Sequence, residues 1–540
     1  MYNREGTKIG KEGARTMSSP LGLGVSRRYL LAMFQFYFLV EGILGSMYYN
    51  GSLPLFFFYF KVSAIEYQKA LVIGMLMWNA VPLIGVVANK WPILGYYKRN
   101  ITLAAAVLVA PATLGIVLSK TANMAIIFFA CASTCVAAMS TTFNGQNAAL
   151  ILSKIATKRI APLAQGLIMA GAVLGVIMVG ALADTEEDAH RVVYGFAACV
   201  PLVIPLVVSL VRYPDQVFLG DRKRTESDLR EHLVSEHNTD LEVPPIEKQI
   251  APQMKPSPEE ILLASAMALM SLLLLFITYN LTHDNVRVTF SIAVVMSIAL
   301  LMYVARVYNY TRLAGLCVFG FVNEVLYVDI TAAEDTFYTA PEICIAGGPN
   351  LGLLWYIAWT RTFAYTISLL LMVVYMRWVI HWRCRTAILV GIVFRISSSL
   401  TDVVIGKHWN REAGISDKSM YLAGNGMLNI PSRSWIQLSL VIAAVSPLVD
   451  GNAPLRVRGK EVLTMSIISG LQFMGQSMSR IYGMFLMELF DFRADLSTGN
   501  CNVDNYVPLC IAAHVVSAIF LVPVAYAILP TDTPPRTKST

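Results

Sequence analysis

The sequence predicts an all-α polytopic membrane protein with about fourteen transmembrane helices, twelve forming a core and two forming an extra pair. Three observations predict it. Of 540 residues, 56% are hydrophobic and only 14% charged, where soluble domains carry about 25% charged residues. The mean hydropathy is +0.57. Apolar runs long enough to cross a bilayer recur along the chain, and Lys and Arg collect in alternate connections between them.

Residues 1–28 are polar and basic and read as a cytoplasmic tail. They lack a short apolar core with a small-residue cleavage site, so the first span is expected to serve as its own insertion signal. Apolar runs at 29–49, 68–88, 101–119, 124–152, 162–183 and 192–212 predict an N-terminal bundle of six helices over 29–212. Hydrocarbon offers the backbone no partners, so each run must be helical. Residues 213–259 are rich in Glu, Asp, Lys and Pro, have no apolar period, and read as a disordered cytoplasmic linker. The runs 260–281 and 287–305 form the extra pair, within 260–306. The runs 313–331, 352–376, 386–406, 420–448, 461–490 and 507–529 predict a C-terminal six-helix bundle over 307–530, before a cytoplasmic tail at 531–540. Between two of them, 332–350 reads as the main external loop, with Glu334, Asp335 and Glu342 and no Lys or Arg.

Positive charge resists translocation, so the basic connections belong on the cytoplasmic side. Lys90, Lys98 and Arg99, then Lys154, Lys158 and Arg159, then Arg377, Arg383 and Arg385, all fall there when the N-terminus is cytoplasmic. The same count puts both termini in the cytoplasm, with the plasma membrane as the expected location. A miscounted pair of spans would keep the alternation, so twelve helices remain an alternative to fourteen. Cys344 and Cys501 alone fall in expected external loops and are a candidate disulfide.

Ionisable groups in hydrocarbon cost roughly 2.5–3.5 kcal/mol each on insertion scales and so face a cavity or a partner. The candidates for substrate binding or coupling are Glu41, Arg361, Arg395, Asp402, Arg433 and Arg480, with Glu324 beside them. Arg395 and Asp402 are two turns apart on one helix face, about 10 Å along the axis. Glu41, alone in its span, is a candidate for proton exchange. Arginine forks suit carboxylate and phosphate, and the excess of arginines over carboxylates suggests an anionic solute. For each charge a structural ion pair is the alternative reading. Trp78, Asn79, Trp355, Trp359, Asn144, Gln146 and Asn147 could stack on or hydrogen-bond a planar solute, or simply pack. Gly171 and Gly175 form a small-xxx-small face for close helix packing.

The loop GVVANKWPILGYYKR at 85–99 resembles the signature of the major facilitator superfamily. Gly85, Gly95, Lys98 and Arg99 fit that gating-loop pattern, and Asn89 stands where it has an acid. The loop YMRWVIHWRCR at 375–385 occupies the equivalent place in the second half, as internally repeated transporters require. The stretches 63–100 and 394–425, CIAGGPN at 344–350 and Gly459–Glu461 are together similar to the folate–biopterin transporter family of that superfamily. Asn144, Gln146 and Asn425 depart from its charged positions. The resemblance implies a two-bundle fold and a proton-coupled symporter that moves folate- or pteridine-like solutes by alternating access. S-adenosylmethionine is the alternative solute in that family. It implies no cofactor and no metal, and the lipid bilayer, the solute and protons as partners. Dispersed histidines argue against a membrane enzyme, the lack of a filter-like glycine loop against a channel, and the lack of a nucleotide-binding loop against an ATP-driven pump. No reading of the basic residues as a nucleic-acid surface is needed. A transporter-like sensor that binds without moving solute stays open.

Overall fold

The computed structural model describes residues 27–91, 98–152, 159–183, 256–281, 285–308, 312–342, 344–345, 347–449, 461–495 and 500–529. The expected sixth span (192–212), most of the linker, Gly95, the tails and the basic segment 450–460 lie outside the described residues. Among the described residues, thirteen long helices follow one another. They are α1 (Tyr29–Tyr59), α2 (Ala64–Lys90), α3 (Arg99–Leu118), α4 (Ala122–Leu152), α5 (Ile160–Ala183), α6 (Pro258–Tyr279), α7 (Val286–Val307) and α8 (Leu313–Thr339). Then come α9 (Leu354–Arg377), α10 (Cys384–Gly406), α11 (422–449), α12 (Glu461–Leu489) and α13 (Tyr506–Ile528). Eleven are long and apolar enough to cross a membrane. The other two, α11 and α12, carry more polar side chains, among them Gln437, Gln472, Gln476 and Arg480.

The helix ends define two faces. Lys90, Lys98, Arg159, Arg306, Arg377 and Arg385 mark a basic face. On the opposite face a disulfide joins Cys344 to Cys501, with Cα atoms 5.4 Å apart. Beside it β1 (Arg493–Asp495) pairs antiparallel with β2 (Asn500–Asn502), Ala494 opposite Cys501. Exposed Trp91, Trp378 and Trp382 lie near the basic face and Trp359 and Trp409 toward the disulfide face, as interfacial indoles do in a bilayer.

Small residues set the helix contacts. A Cβ on Gly42 would sit 2.8 Å from the Gly171 Cα, so α1 and α5 touch backbone to backbone. A Cβ on Gly145 would meet the Val462 backbone at 2.7 Å, which brings α4 against α12. Central α12 also packs on α2, α6, α7 and α8. The extra pair α6–α7 lies outside α2 and α12, and Leu269, Phe276, Val295 and Met302 point away from the protein. Its start is well specified: Ser257 and Glu260 form a reciprocal capping box.

Several helices are irregular. Wide π-helical turns occupy Phe34–Leu44 and Leu53–Tyr59 in α1, Leu354–Trp359 in α9, Leu422–Asn429 in α11 and Ile511–Val516 in α13. Such turns cluster at functional sites. Helix α8 breaks at 327–330 and resumes as Thr331–Thr339. That corrects the expected external loop over 332–350. Its first part is a helix whose Asp335 is buried, because Tyr67 and Tyr356 supply the hydrogen bonds water would have given its carboxylate, while Gln68 accepts from the Ala332 amide at the helix start.

Candidate functional site

A cavity of about 190 Å³ lies among α1, α2, α4, α5, α11 and α12, toward the basic face. Glu41 enters it from the π-helical part of α1, where the wide turn shifts side-chain directions relative to a regular helix. Its carboxylate is hydrogen-bonded by Ser140. Ser140 also accepts from Asn144 Nδ2 at 3.0 Å. Tyr37 donates to Asn144 Oδ1 (2.8 Å) and receives Asn147 Nδ2 (2.7 Å), and Tyr29 donates to Asn147 Oδ1 (2.6 Å). The wall is thus a continuous hydrogen-bonded row from α1 to α4. Gln165, Gln437, Gln472 and Ser469 add amides and a hydroxyl, and Trp78 and Phe473 add two aromatic rings, tilted 47° to each other with centroids 4.5 Å apart. Glu41 is the one acidic or basic side chain in this lining.

Above the cavity, toward the disulfide face, charges are packed into the helices. Arg480 is fully buried; its Nε donates to Asp329 Oδ2 at 2.9 Å and its Nη1 to the Leu71 carbonyl at 2.8 Å. Asp335 accepts from Tyr67 (3.0 Å) and Tyr356 (2.6 Å), and Asp402 from Tyr338 (2.6 Å). Gln68 completes the α8 break, donating to the Asp329 carbonyl (2.6 Å) and accepting from the Ala332 amide (3.0 Å). These bonds tie one turn of α2 to α8 and α12. A second small pocket between Tyr49, Asn50, Asp335, Tyr356 and Arg361 has only about 10 Å³ of room. The two ends of the bundle therefore differ: a cavity toward the basic face, tight packing toward the disulfide face.

The other sequence candidates distribute as follows. Arg361 rides over Tyr49 and Tyr356, 5.8 and 6.0 Å from the ring centroids, and its buried Nε has no hydrogen-bond partner among the described residues. Arg395 stacks 3.6 Å over the Tyr327 ring. Arg433 pairs with Glu324 at 3.5 Å. Asn79 is buried against Ser477 (3.0 Å), and Gln146 accepts from Lys98 (3.0 Å); neither lines the cavity. Trp359 is exposed and lines neither of these two pockets. In the 85–99 loop, Gly85 packs on Ser466 of α12, Asn89 is buried and Arg99 opens α3. Sequence reasoning did not include Asp329, Glu334 and Asp335 among the membrane charges. With them, Glu41, Glu324, Asp329, Glu334, Asp335 and Asp402 outnumber Arg361, Arg395, Arg433 and Arg480. The inference of an arginine-rich interior suited to anions is corrected: among the described residues the interior is acidic by count. The acids were readable only as a lysine- and arginine-free stretch following an apolar run.

The model of the BT1 family matches residues 42–537. The chain belongs to the BT1 family. No curated protein matches this BT1-family chain. Among solved structures, an autoinhibited POT family peptide transporter is similar at 11% identity, covering 94% of this chain and 98% of that one, with a TM-score of 0.56. A POT family transporter in complex with a thioalcohol-conjugated peptide aligns at 12% identity over 92% and 96%, with a TM-score of 0.55. One in complex with 5-aminolevulinic acid aligns at 12% over 93% and 97%, with a TM-score of 0.53. At these identities the likeness shows the fold, that of major-facilitator-type transporters. The BT1-family chain thus has the multi-pass helical fold of membrane transporters. The motif-based assignment to the folate–biopterin transporters is corrected here. The family shown is BT1, and its fold is shared with solved POT peptide transporters.

Proposed function

We propose that this BT1-family chain is a proton-coupled secondary transporter of short peptides and similar small zwitterions, working by alternating access. The cavity carries the reading: its charge is the single carboxylate of Glu41, set among amides and hydroxyls that bind polar backbone groups without reading side chains. Glu41 would carry the coupling proton, and the amide oxygens and hydroxyls around it would accept from the substrate ammonium. Arg361, with a donor unmet, would take the carboxylate end. Tyr49, which Arg361 covers, lies eight residues beyond Glu41 on α1, about 12 Å along a helix axis. With both side chains reaching inward, that span suits two to four residues at about 3.5 Å each. The peptide-transporter names of structures sharing the fold point the same way. Basic connections on one face favour a cytoplasmic position for that face and for the cavity.

The test is uptake of a labelled dipeptide into proteoliposomes under an imposed inward proton gradient. Uptake that follows the gradient is expected. Glu41→Gln should lower gradient-driven uptake about 100-fold, the scale of losing one positioned proton-transfer group. Exchange of labelled for unlabelled dipeptide should largely survive. Arg361→Ala should raise KM for dipeptides and leave C-terminally amidated ones unaffected. Absence of any dipeptide-dependent proton flux in the wild-type protein would sink the proposal.

A further inference from the structure

We propose that Asp402, Cys510, His514 and Glu334 form a buried site for one divalent transition-metal ion of the Zn²⁺ class, separate from the central cavity. The residues come from three helices, α10, α13 and α8, in the half toward the disulfide face. Donor atoms of Asp402, Cys510 and His514 all lie within 4.8 Å of one another, and all three residues are buried. Cys510 and His514 are four apart across the π-helical stretch Ile511–Val516 of α13.

The imidazole carries the argument. His514 Nε2 lies 2.8 Å from the Val328 carbonyl. A carbonyl only accepts, so Nε2 bears the proton and Nδ1 presents a lone pair. That lone pair faces Glu334 Oε1 at 3.2 Å, and Nδ1 has no hydrogen-bond partner among the described residues. Two acceptors in contact require a cation between them, a proton or a metal. A proton would satisfy the pair alone, but Asp402 and the Cys510 sulfur also lie within 4.8 Å of a ring nitrogen of His514 and of each other. Carboxylate, thiolate and imidazole are the Zn²⁺ donor set, and drawing the Asp402, Cys510 and His514 atoms to about 2.0–2.3 Å from an ion needs movements of about an ångström; Glu334, in contact with the same imidazole, would swing in as the fourth ligand. The surroundings are built as an outer shell. Val328 orients the imidazole, and Tyr338 donates to Asp402 Oδ1 at 2.6 Å, leaving Oδ2 for the ion. Arg395 is the nearest guanidinium, and the Tyr327 ring lies between it and the imidazole, stacked 4.3 Å from His514. On binding, the Cys510 thiol releases its proton, and so does any proton held between Nδ1 and Glu334. A filled site would join α8, α10 and α13 at one point.

The test titrates Co²⁺ alone, and then Zn²⁺, into the metal-stripped full-length protein in detergent. One equivalent of Co²⁺ should give the intense visible bands of a four-coordinate site and a sulfur-to-cobalt charge-transfer band, and Zn²⁺ should abolish both. Calorimetry in buffers of different protonation heat should show proton release. His514→Gln should weaken binding by more than the about 10–100-fold that follows loss of an outer-shell partner. Cys510→Ser, a minimal change in volume, should remove the charge-transfer band while retaining weaker Co²⁺ binding. If His514→Gln aggregates, the Cys510→Ser spectrum decides. The proposal is overturned if wild-type protein binds no Co²⁺ or Zn²⁺, if the spectrum is six-coordinate without sulfur, or if Cys510→Ser binds with an unchanged spectrum. In those outcomes the Glu334–His514 contact holds a proton only. Dipeptide transport is not a readout, so the result is independent of the proposed function.

Discussion

Arg480 illustrates what an ionisable side chain inside the bundle needs. It is fully buried, yet its Nε and Nη1 find Asp329 and the Leu71 carbonyl. Removing one member of such a pair leaves the other charged and desolvated, at a cost of about 3–5 kcal/mol, whereas replacing both with apolar residues is often neutral. Arg480→Met should therefore lower the thermal unfolding midpoint in detergent strongly, and Arg480→Met with Asp329→Leu should recover much of it. No recovery in the double variant would mean that Arg480 acts mainly through Leu71. At this scale the sequence was readable wherever a charge interrupted an apolar run: Glu41, Arg361, Arg395, Asp402, Arg433 and Arg480 stand out by cost alone. Asp329, Glu334 and Asp335 did not. Asp329 sits in the helix break at 327–330 and Glu334 and Asp335 follow it, and hydropathy cannot distinguish a loop in water from an acidic helix whose hydrogen bonds come from Tyr67, Tyr356 and Gln68. Nothing in the local sequence names those distant partners.

At the scale of elements, the segment joining α10 to α11 shows what closely spaced turn and capping residues do physically. His408 adopts left-handed φ of 61°, the turn Trp409–Glu412 follows, and Gly414 takes φ of 74°. Asp417, next to the Ser416 cap, then accepts from Asn410 Nδ2 (2.7 Å) and from the Arg411 guanidinium, whose Nη2 also reaches the Gly348 carbonyl (3.2 Å). Partial burial pushes the Asp417 carboxyl up, but the bonds from Arg411 and Asn410 prevail and hold it below its usual range. A carboxyl lowered by folding stabilises the protein above its ordinary range, and that contribution disappears as pH falls through the lowered folded value. Melting in detergent from neutral to strongly acidic pH should show this loss in wild-type protein and a shallower acid slope in Asp417→Asn, which should also be about 1 kcal/mol less stable at neutral pH. An unchanged slope would remove Asp417 from the account. The α1–α5 contact gives a second test. A Cβ on Gly171 would strike the Phe38 carbonyl, whereas one on Gly166 would make an ordinary 3.6 Å contact with Leu369. Gly171→Ala should cost about 1–3 kcal/mol, as overpacking does, and Gly166→Ala should be near neutral by the same thermal assay. The Gly171–Gly175 spacing was visible in the sequence. Its partner, Gly42 on α1, was not, since spacing within one helix does not identify the helix it meets.

For the whole molecule, charge alternation and hydropathy were enough to read the class of fold, because a bilayer restricts the backbone to helices and sets their length. What they could not supply was the depth of the polar groups, since α11 and α12 are more polar than a lipid-facing span and are sheltered by neighbours. The Cys344–Cys501 disulfide closes a separation of 157 residues. Chain entropy alone would assign such a loop about 4–5 kcal/mol, but helices held in a bilayer already keep those ends close. Cys344→Ser with Cys501→Ser should therefore lower the unfolding midpoint by only a few degrees in nanodiscs and by more in detergent. Equal losses in both would show that the bilayer adds no restraint of its own. The single turn of α2 bearing Tyr67, Gln68 and Leu71 has a kinetic consequence. Its hydrogen bonds to Asp335, the α8 break and Arg480 bridge helices that would separate in the alternating-access cycle proposed above. They sit on one rigid turn and so release together, which makes opening an all-or-none event with a high activation enthalpy. Turnover should rise steeply on warming, and Gln68→Leu should flatten that temperature dependence while speeding transport in the cold.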